Sequence, residues 1–236
     1  LLQEKHGFQN SERMMQQLLE LAILGTVADC GLLLGQNRVI TLLGLKALKE
    51  TSHPGLKKLL ELSQSDPDAL TAEQIAFYLA PRLNAAGRLS HPHISLELLL
   101  GNAPRAHELE LLNKKRQEMV TAFLEEAEEM LLGKIRELPA ILIKSEKWTA
   151  GVIGLLAGKL AEKYGKPTAV VEVRQHKMIG SCRGPKDFHF ADTLKTIAEM
   201  EHGLFLGFGG HAEAAGFSLL PKNYDRFESL FLQLVK

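Results

Sequence analysis

The sequence has 236 residues, of which 45% are hydrophobic and 24% are charged, and its 28 Lys and Arg residues balance 28 Asp and Glu residues. This composition is ordinary for a globular protein with a substantial core, and the zero net charge excludes nucleic-acid binding through overall basic character, so such binding would need a local basic patch. The two cysteines, Cys30 and Cys182, are far apart and argue against a disulfide framework or a structural zinc site.

The same features bear on where the protein acts. We expect a cytoplasmic protein, because two distant cysteines fit a reducing compartment. We expect no membrane span, because no apolar run reaches roughly 18 residues. The chain begins with Leu1 rather than Met, from which we expect a piece of a longer polypeptide.

The first hundred residues are predicted to be mostly helical. Apolar residues recur every three or four positions over 11–23 and again over 37–50, which is the spacing of an amphipathic helix. A shorter helix is predicted over 55–62. Thr71 and Gln74 have the spacing of a capping box and predict the start of a further helix.

Two polar clusters lie among these helices. In GTVADC, Asp29 is either a turn or capping residue or a carboxylate ligand of a hard divalent cation. In PRLNAAGR, Arg82, Asn84 and Arg88 surround small residues, and the two arginines suggest phosphate or carboxylate contacts. On spacing alone, an arginine pair that neutralises neighbouring carboxylates of the protein is an equal alternative.

The pattern changes in the second half of the chain. Residues 104–136 predict one long helix with a charged outer face. After Pro139, strands alternate with helices, which predicts a sheet covered by helices and an α/β fold class. The predicted strands are 140–145, 168–173, 177–181 and 216–220, and the predicted helices are 151–164, 192–200 and 224–235.

The stretch from Gly180 to Gly216 has the residues of a phosphate-binding surface. Ser181 and Arg183 suit an anionic oxygen, and the predicted glycine loop over 207–210 allows main-chain N–H groups to face an anion. His211 adds a donor or a general acid. The alternative is a tight turn before a strand, followed by an ordinary surface histidine.

Several of these segments resemble the DHH phosphoesterase superfamily. FGGHAEAAGFSL is similar to the GGH segment of the DHHA1 domain, its substrate-binding module. LGTVADC with its leucine run and GQNR, and more specifically PRLNAAGR, resemble the RecJ family of single-strand-specific exonucleases. NKKRQ in the long helix, W-x-x-GVIG and GSCRG follow in the order of that family, so the resemblance covers nearly the whole chain.

The resemblance implies a single-stranded DNA 5′-to-3′ exonuclease, active in DNA repair and recombination, that uses two Mn²⁺ or Mg²⁺ ions. It assigns Asp29 as a catalytic metal ligand, Ser181 and Arg183 as ligands of the 5′ phosphate, and His211 as a catalytic residue contacting a substrate phosphate. The other substrate-binding residues that it implies are Arg82, Asn84, Arg88, Gly209 and Gly210.

The resemblance also predicts three segments and one absence. Residues 1–103 would be the C-terminal, mostly helical part of a DHH domain, 104–138 a linker helix, and 139–236 a DHHA1 domain with a mixed sheet. The Asp-His-His motif that names the superfamily does not occur in the chain. We therefore expect the chain to be inactive alone. Thr149, Cys182 and Gly184 depart from the family pattern, and Thr149 replaces a common histidine.

Two other functions stay open at this point. One is a DHH phosphodiesterase acting on short oligonucleotides or cyclic dinucleotides, against which PRLNAAGR and the long helix argue. The other is a non-catalytic nucleic-acid-binding relative. The expected partner is single-stranded DNA with a 5′ phosphate, with no membrane, and a helicase or a single-strand-binding protein is a candidate partner protein.

Overall fold

The structure is a computed structural model and describes residues 11–235. The chain divides into two compact units, Leu1–Arg116 and Gln117–Lys236. No helix within the described range is long and apolar enough to cross a membrane. The predicted α/β fold class is confirmed, whereas the predicted boundaries at 103 and 138 stay a prediction.

Unit 1 is helical. Its elements are α1 (Ser11–Ala28), α2 (Gly35–Lys49), α3 (Pro54–Leu62), a 3-10 turn (Pro67–Ala69), α4 (Ala72–Gln74), a π-helical segment (Ile75–Leu79), α5 (Ala80–Leu89), α6 (His93–Leu99) and the first part of α7 (Arg105–Leu131). Its core contains the fully buried side chains of Ile23, Leu48, Leu59, Ile75 and Leu98. The predicted capping box is confirmed, because the Thr71 hydroxyl accepts from the Gln74 N–H and the Gln74 side chain accepts from the Thr71 N–H.

The PRLNAAGR segment forms α5. A π-helical segment precedes it, so α4, this segment and α5 form one continuous helical run. Pro81 lies in the first turn of α5, where a missing N–H is tolerated. Local π-helical geometry often occurs near functional sites and is not visible in hydrophobic periodicity.

Unit 2 contains a five-stranded sheet with strand order β1-β2-β3-β5-β4. The strands are β1 (Ile141–Ser145), β2 (Thr168–Val173), β3 (Met178–Arg183), β4 (Phe205–Gly210) and β5 (Ala214–Leu219), and the helices are α8 (Ala150–Tyr164), α9 (Phe190–Met200) and α10 (Tyr224–Leu234). β1 and β2 are parallel and joined through α8, while the other neighbouring strands are antiparallel. The predicted mixed sheet is therefore confirmed.

Helices cover both faces of this sheet. One core lies between the sheet and helices α9 and α10, and includes Phe190, Phe217, Phe227 and Phe231. A second core packs Trp148, α8 and the end of α7 against the opposite face. Successive residues of a strand point to opposite faces, which explains why alternate residues of β2 belong to different cores.

The prediction of a glycine loop over 207–210 is wrong, because these residues belong to the edge strand β4. The strand pairs antiparallel with β5, and Gly209 lies opposite Gly216. The Phe205 ring packs against Phe217 and Phe227 and so anchors the strand to the core. Glycine is depleted in strands, so the glycines of this segment predicted a loop. The packing of Phe205 that holds the strand in place was not expected from the sequence.

Candidate functional site

Ser181 and Arg183 lie on one face of β3. Arg183 Nη1 is 3.3 Å from Ser181 Oγ and donates to the Cys182 carbonyl oxygen at 2.7 Å. The Cys182 side chain points to the opposite face and is fully buried among the α9 and α10 core residues. Its departure from the family pattern therefore leaves the Ser181–Arg183 pair unobstructed. Burial raises the pKa of the Cys182 thiol, which disfavours the thiolate.

A glycine of α8 makes room for this pair. A Cβ at Gly154 would lie 3.1 Å from Ser181 Oγ and 3.4 Å from Arg183 Nη2. Burial lowers the pKa of the Arg183 guanidinium. Among residues 11–235, no carboxylate forms an ion pair with Arg183. A half-buried arginine in these surroundings favours an external anion, because the charge loses solvation and no carboxylate among the described residues compensates it.

Next to the pair, three strands present a surface with few side chains. Ser181 lies opposite Gly216 of β5, which lies opposite Gly209 of β4. In the adjacent row, Ser218 lies opposite Gly207. Residues paired directly across a sheet share a face, so Gly207, Gly209 and Gly216 form a glycine shelf beside Ser181. Without side chains, its backbone is open to close approach by a ligand.

The β4–β5 turn lies at the same end of the sheet as Arg183. Gly210 has a φ of 147°, and a Cβ there would lie 2.4 Å from the Ala214 carbonyl oxygen, so the position requires glycine. The His211 N–H donates to the same carbonyl at 2.7 Å, and the Gly184 N–H donates to the Glu213 carbonyl at 3.2 Å. The second bond ties the turn to the residue that follows Arg183.

The two remaining departures from the family pattern are Gly184, which has a packing explanation, and Thr149, which nothing in the structure explains. A Cβ at Gly184 would lie 2.8 Å from Phe190 Cε2, so this position packs against the core and has no room for a larger side chain. Thr149 is the N-cap of α8 but makes no side-chain capping bond. Its hydroxyl oxygen is buried without a hydrogen-bond partner in the described part of the chain.

In unit 1, a second group of predicted site residues comes together. Asp29 follows α1, and with Asn84 and Arg88 of α5 it lines a concavity of about 420 Å³. The backbone N–H of Asp29 bonds to the Gly25 carbonyl at 3.0 Å, which fixes the turn, and the carboxylate is exposed. The structure thus brings together a carboxylate, an amide and a guanidinium from two segments 55 residues apart in the sequence (Asp29 to Asn84).

Arg82 lies outside the residues that line this concavity. Its Nε donates to Glu110 Oε2 at 2.5 Å, its Nη2 lies 3.4 Å from Glu110 Oε1, and its Nη1 donates to the Tyr78 carbonyl at 2.7 Å. This carboxylate pairing is the alternative that the sequence left open. The predicted role of Arg82 in substrate binding stays a prediction.

Sequence reasoning overlooked Arg116 of α7. Burial lowers the pKa of its guanidinium, and the charges of Arg88 and Arg82 add to this effect. In the sequence Arg116 is one of three consecutive basic residues, a pattern typical of a solvated helix face. Only its burial distinguishes it from Lys114 and Lys115.

The residues of the structure do not fit a complete site for two divalent cations. Among residues 11–235, no group of three or more His, Cys, Asp or Glu side chains could hold a metal ion. Hard divalent cations need several oxygen ligands, and Asp29 supplies one carboxylate. No reaction step through a metal follows from these residues.

Comparisons with known proteins show a similar domain family and similar sequences. A model of the DHHA1 domain matches residues 137–236. The single-stranded-DNA-specific exonuclease RecJ of Bacillus subtilis is 36% identical over 220 residues, covering 90% of this chain and 28% of that protein. The RecJ of Salmonella typhimurium is 37% identical over 232 residues, covering 94% of this chain and 40% of that protein.

A solved structure shows the same fold. The crystal structure of RecJ from Thermus thermophilus in complex with Mn²⁺ matches with a TM-score of 0.84 and 30% identity, covering 99% of this chain and 34% of that one. The chain spans well under half the length of the curated relatives that it matches. It belongs to the RecJ family, and residues 137–236 form a DHHA1 domain.

Proposed function

We propose that the protein is part of a single-stranded DNA exonuclease that degrades from the 5′ end, and that Ser181 and Arg183 bind the terminal phosphate. One observation supports this most. A half-buried arginine and a hydroxyl lie side by side on β3, against a helix glycine and beside the glycine shelf. A guanidinium and a hydroxyl are the donors that a terminal phosphate needs.

The glycine shelf explains how a DNA strand would reach this pair. The sugar-phosphate backbone can lie close to β4 and β5, because Gly207, Gly209 and Gly216 present no side chains there. His211 lies exposed at the turn that follows β4, where its ring could donate to a neighbouring phosphate. Gly210 holds the turn in a conformation that a larger residue does not adopt.

Hydrolysis would depend on divalent cations. The RecJ of Thermus thermophilus was crystallised with Mn²⁺ and with Mg²⁺. A metal pair would activate water and stabilise the leaving oxygen, with Asp29 as one ligand. We expect activity only in a polypeptide that also contains an Asp-His-His motif, which this sequence lacks. A helicase or single-strand-binding partner stays a prediction from the resemblance.

The test is a comparison of 5′-phosphorylated and 5′-hydroxyl oligonucleotides. Arg183→Ala should weaken binding of the phosphorylated strand by about 10- to 100-fold, the effect of losing a hydrogen bond between charged groups, and should hardly change binding of the hydroxyl strand. Ser181→Ala should show the same selectivity with a smaller loss. Fluorescence anisotropy without divalent cations measures both affinities.

Arg226→Ala is the matched control. Arg226 is an exposed arginine of α10 that pairs with Glu201 at 2.8 Å, and α10 packs on the sheet face opposite Ser181. Its removal should change neither affinity. An equal loss for both strands in Arg183→Ala would contradict the 5′-phosphate assignment.

A further inference from the structure

Gly154 of α8 lies directly against the Ser181–Arg183 pair. A Cβ at Gly154 would lie 3.1 Å from Ser181 Oγ, 3.4 Å from Arg183 Nη2 and 3.9 Å from Ser181 Cβ. The first of these distances is shorter than an ordinary van der Waals contact, so either α8 or the Ser181 hydroxyl would have to move. The bare backbone at Gly154 therefore allows a close approach of α8 to the pair.

Helix α8 is held against the sheet on both sides of Gly154. Ile153 and Leu156 are buried in the core that also contains Trp148. Trp148 precedes the helix, and its Nε1 donates to a carboxylate oxygen of Glu126 at 3.3 Å. Because a protein interior is close-packed, moving α8 away from the sheet would open gaps around these side chains.

The less costly response to a Cβ at Gly154 is a turn of the Ser181 side chain. The Ser181 hydroxyl lies 3.3 Å from Arg183 Nη1, so the hydroxyl and the guanidinium face the same ligand. The staggered positions of a side chain are about 120° apart. A turn to another of these positions would take the hydroxyl away from the guanidinium and leave the charge of Arg183 in place.

We propose that Gly154 is a positioning residue of the terminal-phosphate site, and that it acts by holding the Ser181 hydroxyl beside Arg183. This inference rests on the proposed function and concerns the same site. The ligand is a strand that ends in a 5′ phosphomonoester, because a hydroxyl and a guanidinium held side by side match the oxygens of a terminal phosphate. Gly154 contributes through the absence of a side chain and not through a donor of its own.

The first test compares Gly154→Ala with Gly158→Ala in the whole chain. Oligothymidylates with a 5′ phosphate or a 5′ hydroxyl are titrated by fluorescence anisotropy without divalent cations. Gly154→Ala should lower the ratio of the two affinities by about 3- to 10-fold, the effect of one weakened hydrogen bond. Gly158 lies one turn further along α8, and no atom lies within 4 Å of a Cβ there, so Gly158→Ala should leave the ratio unchanged.

The melting temperature without DNA separates positioning from folding. Both substitutions replace a helical glycine by alanine, which by itself favours the helix. Gly158→Ala should therefore raise the melting temperature or leave it unchanged, and Gly154→Ala should stay near the wild type. A lower melting temperature of Gly154→Ala, together with an equal loss of affinity for both strands, would assign the residue a structural role and overturn the proposal.

The second test places Gly154→Ala in a Ser181→Ala chain. If the added Cβ acts through the Ser181 hydroxyl, it should lower the affinity ratio no further once that hydroxyl is absent. The two substitutions are then non-additive, as expected for groups in contact. A further fall of the same size as in the wild-type background would show that Gly154 does not act through Ser181, and would overturn the proposal.

The same titrations separate this inference from the proposed function. If the wild type prefers the phosphorylated strand, Arg183→Ala abolishes the preference and Gly154→Ala retains it in full, the role of Gly154 fails and the proposed function stands. If the wild type binds both strands equally, the terminal-phosphate site fails, and the role of Gly154 fails with it.

Discussion

The two units differ in how completely they bury their apolar side chains. In unit 1, helices α1 and α2 leave large apolar residues exposed, such as Leu18 at 51% and Leu42 at 59%. In unit 2, the exposed large apolar residues lie at helix ends and on the edge strand β4, while both sheet faces are covered by cores. Unit 2 therefore has the features of a self-contained domain, whereas the described residues of unit 1, from 11 onward, leave one helical face partly uncovered.

This difference predicts separate unfolding of the two units. Trp148 is the single tryptophan and is buried in a core of unit 2, so its fluorescence reports that unit alone. Far-UV circular dichroism reports the helices of both units. We expect the dichroism signal to begin to fall at lower urea concentration than the Trp148 signal. Coincident transitions would show that the chain unfolds as one cooperative unit.

The largest effect is expected for Phe227→Ala. The Phe227 ring is fully buried and packs against the rings of Phe205, Phe217 and Phe231. Its removal leaves a cavity and should lower the free energy of unfolding of unit 2 by about 3–5 kcal/mol. The Trp148 transition should move to lower urea, and the early part of the dichroism transition should stay in place.

Phe208→Ala provides the comparison for this result. Phe208 lies on the edge strand and is 44% exposed, so its loss should cost much less. If Phe227→Ala shifts the early dichroism transition as much as the Trp148 transition, the two units unfold together. The prediction that they unfold separately is then wrong.

A smaller effect is expected for Gly44→Ala in unit 1. A Cβ at Gly44 would lie 2.6 Å from Ile23 Cβ and 2.9 Å from the Leu19 carbonyl oxygen, so α1 and α2 would have to separate. Overpacking of this kind costs about 1–3 kcal/mol. We expect the early dichroism transition to move to lower urea while the Trp148 transition is unchanged.

Gly25→Ala is the control, because no atom lies within 4 Å of the added Cβ and the residue is within the same helix as Ile23. It should be neutral or stabilising by up to about 1 kcal/mol. Destabilisation by Gly25→Ala equal to that of Gly44→Ala would show that close packing between α1 and α2 is not the cause.

Sequence reasoning succeeded where one local pattern decides the structure. The helices over 11–23 and 37–50 and the capping box at Thr71 follow from periodicity and turn chemistry, whereas the mixed sheet was implied by the family resemblance. It failed at β4, where burial of Phe205 against residues from β5 and α10 outweighs the glycines. Pairing across a sheet involves residues distant in the sequence, and one sequence does not reveal it.

The candidate site shows the same limit of sequence reasoning, because much of it depends on contacts between residues distant in the sequence. Ser181 and Arg183 could be selected from their side-chain chemistry, and as alternate residues of β3 they share a face. The glycine shelf depends on the register between three strands, and the role of Glu110 at Arg82 depends on packing between α5 and α7. Arg116 looked like a solvated charge because its burial is set by neighbours that the sequence does not place beside it.

The smallest effect concerns pH and is again confined to unit 1. Glu20 of α1 is 2% exposed, and burial raises the pKa of its carboxyl above the ordinary value of 4.5, although a hydrogen bond from Thr51 and the nearby His53 partly oppose this. A carboxyl with a raised pKa in the folded state binds its proton more tightly there than in the unfolded chain. Its stabilising contribution is complete below pH 4.5 and is lost as the pH rises through the folded-state pKa.

Glu20→Gln should remove this pH dependence, because an amide keeps the hydrogen bond and has no charge to bury. The urea midpoint of the early dichroism transition should be higher in the variant than in the wild type by a margin that grows as the pH rises above 4.5, while the Trp148 transition is the same in both. Glu12→Gln, on an exposed position of the same helix, should leave the margin near zero. A margin that is constant with pH would mean that Glu20 acts through packing rather than through its proton, and a shift of the Trp148 transition would again couple the two units.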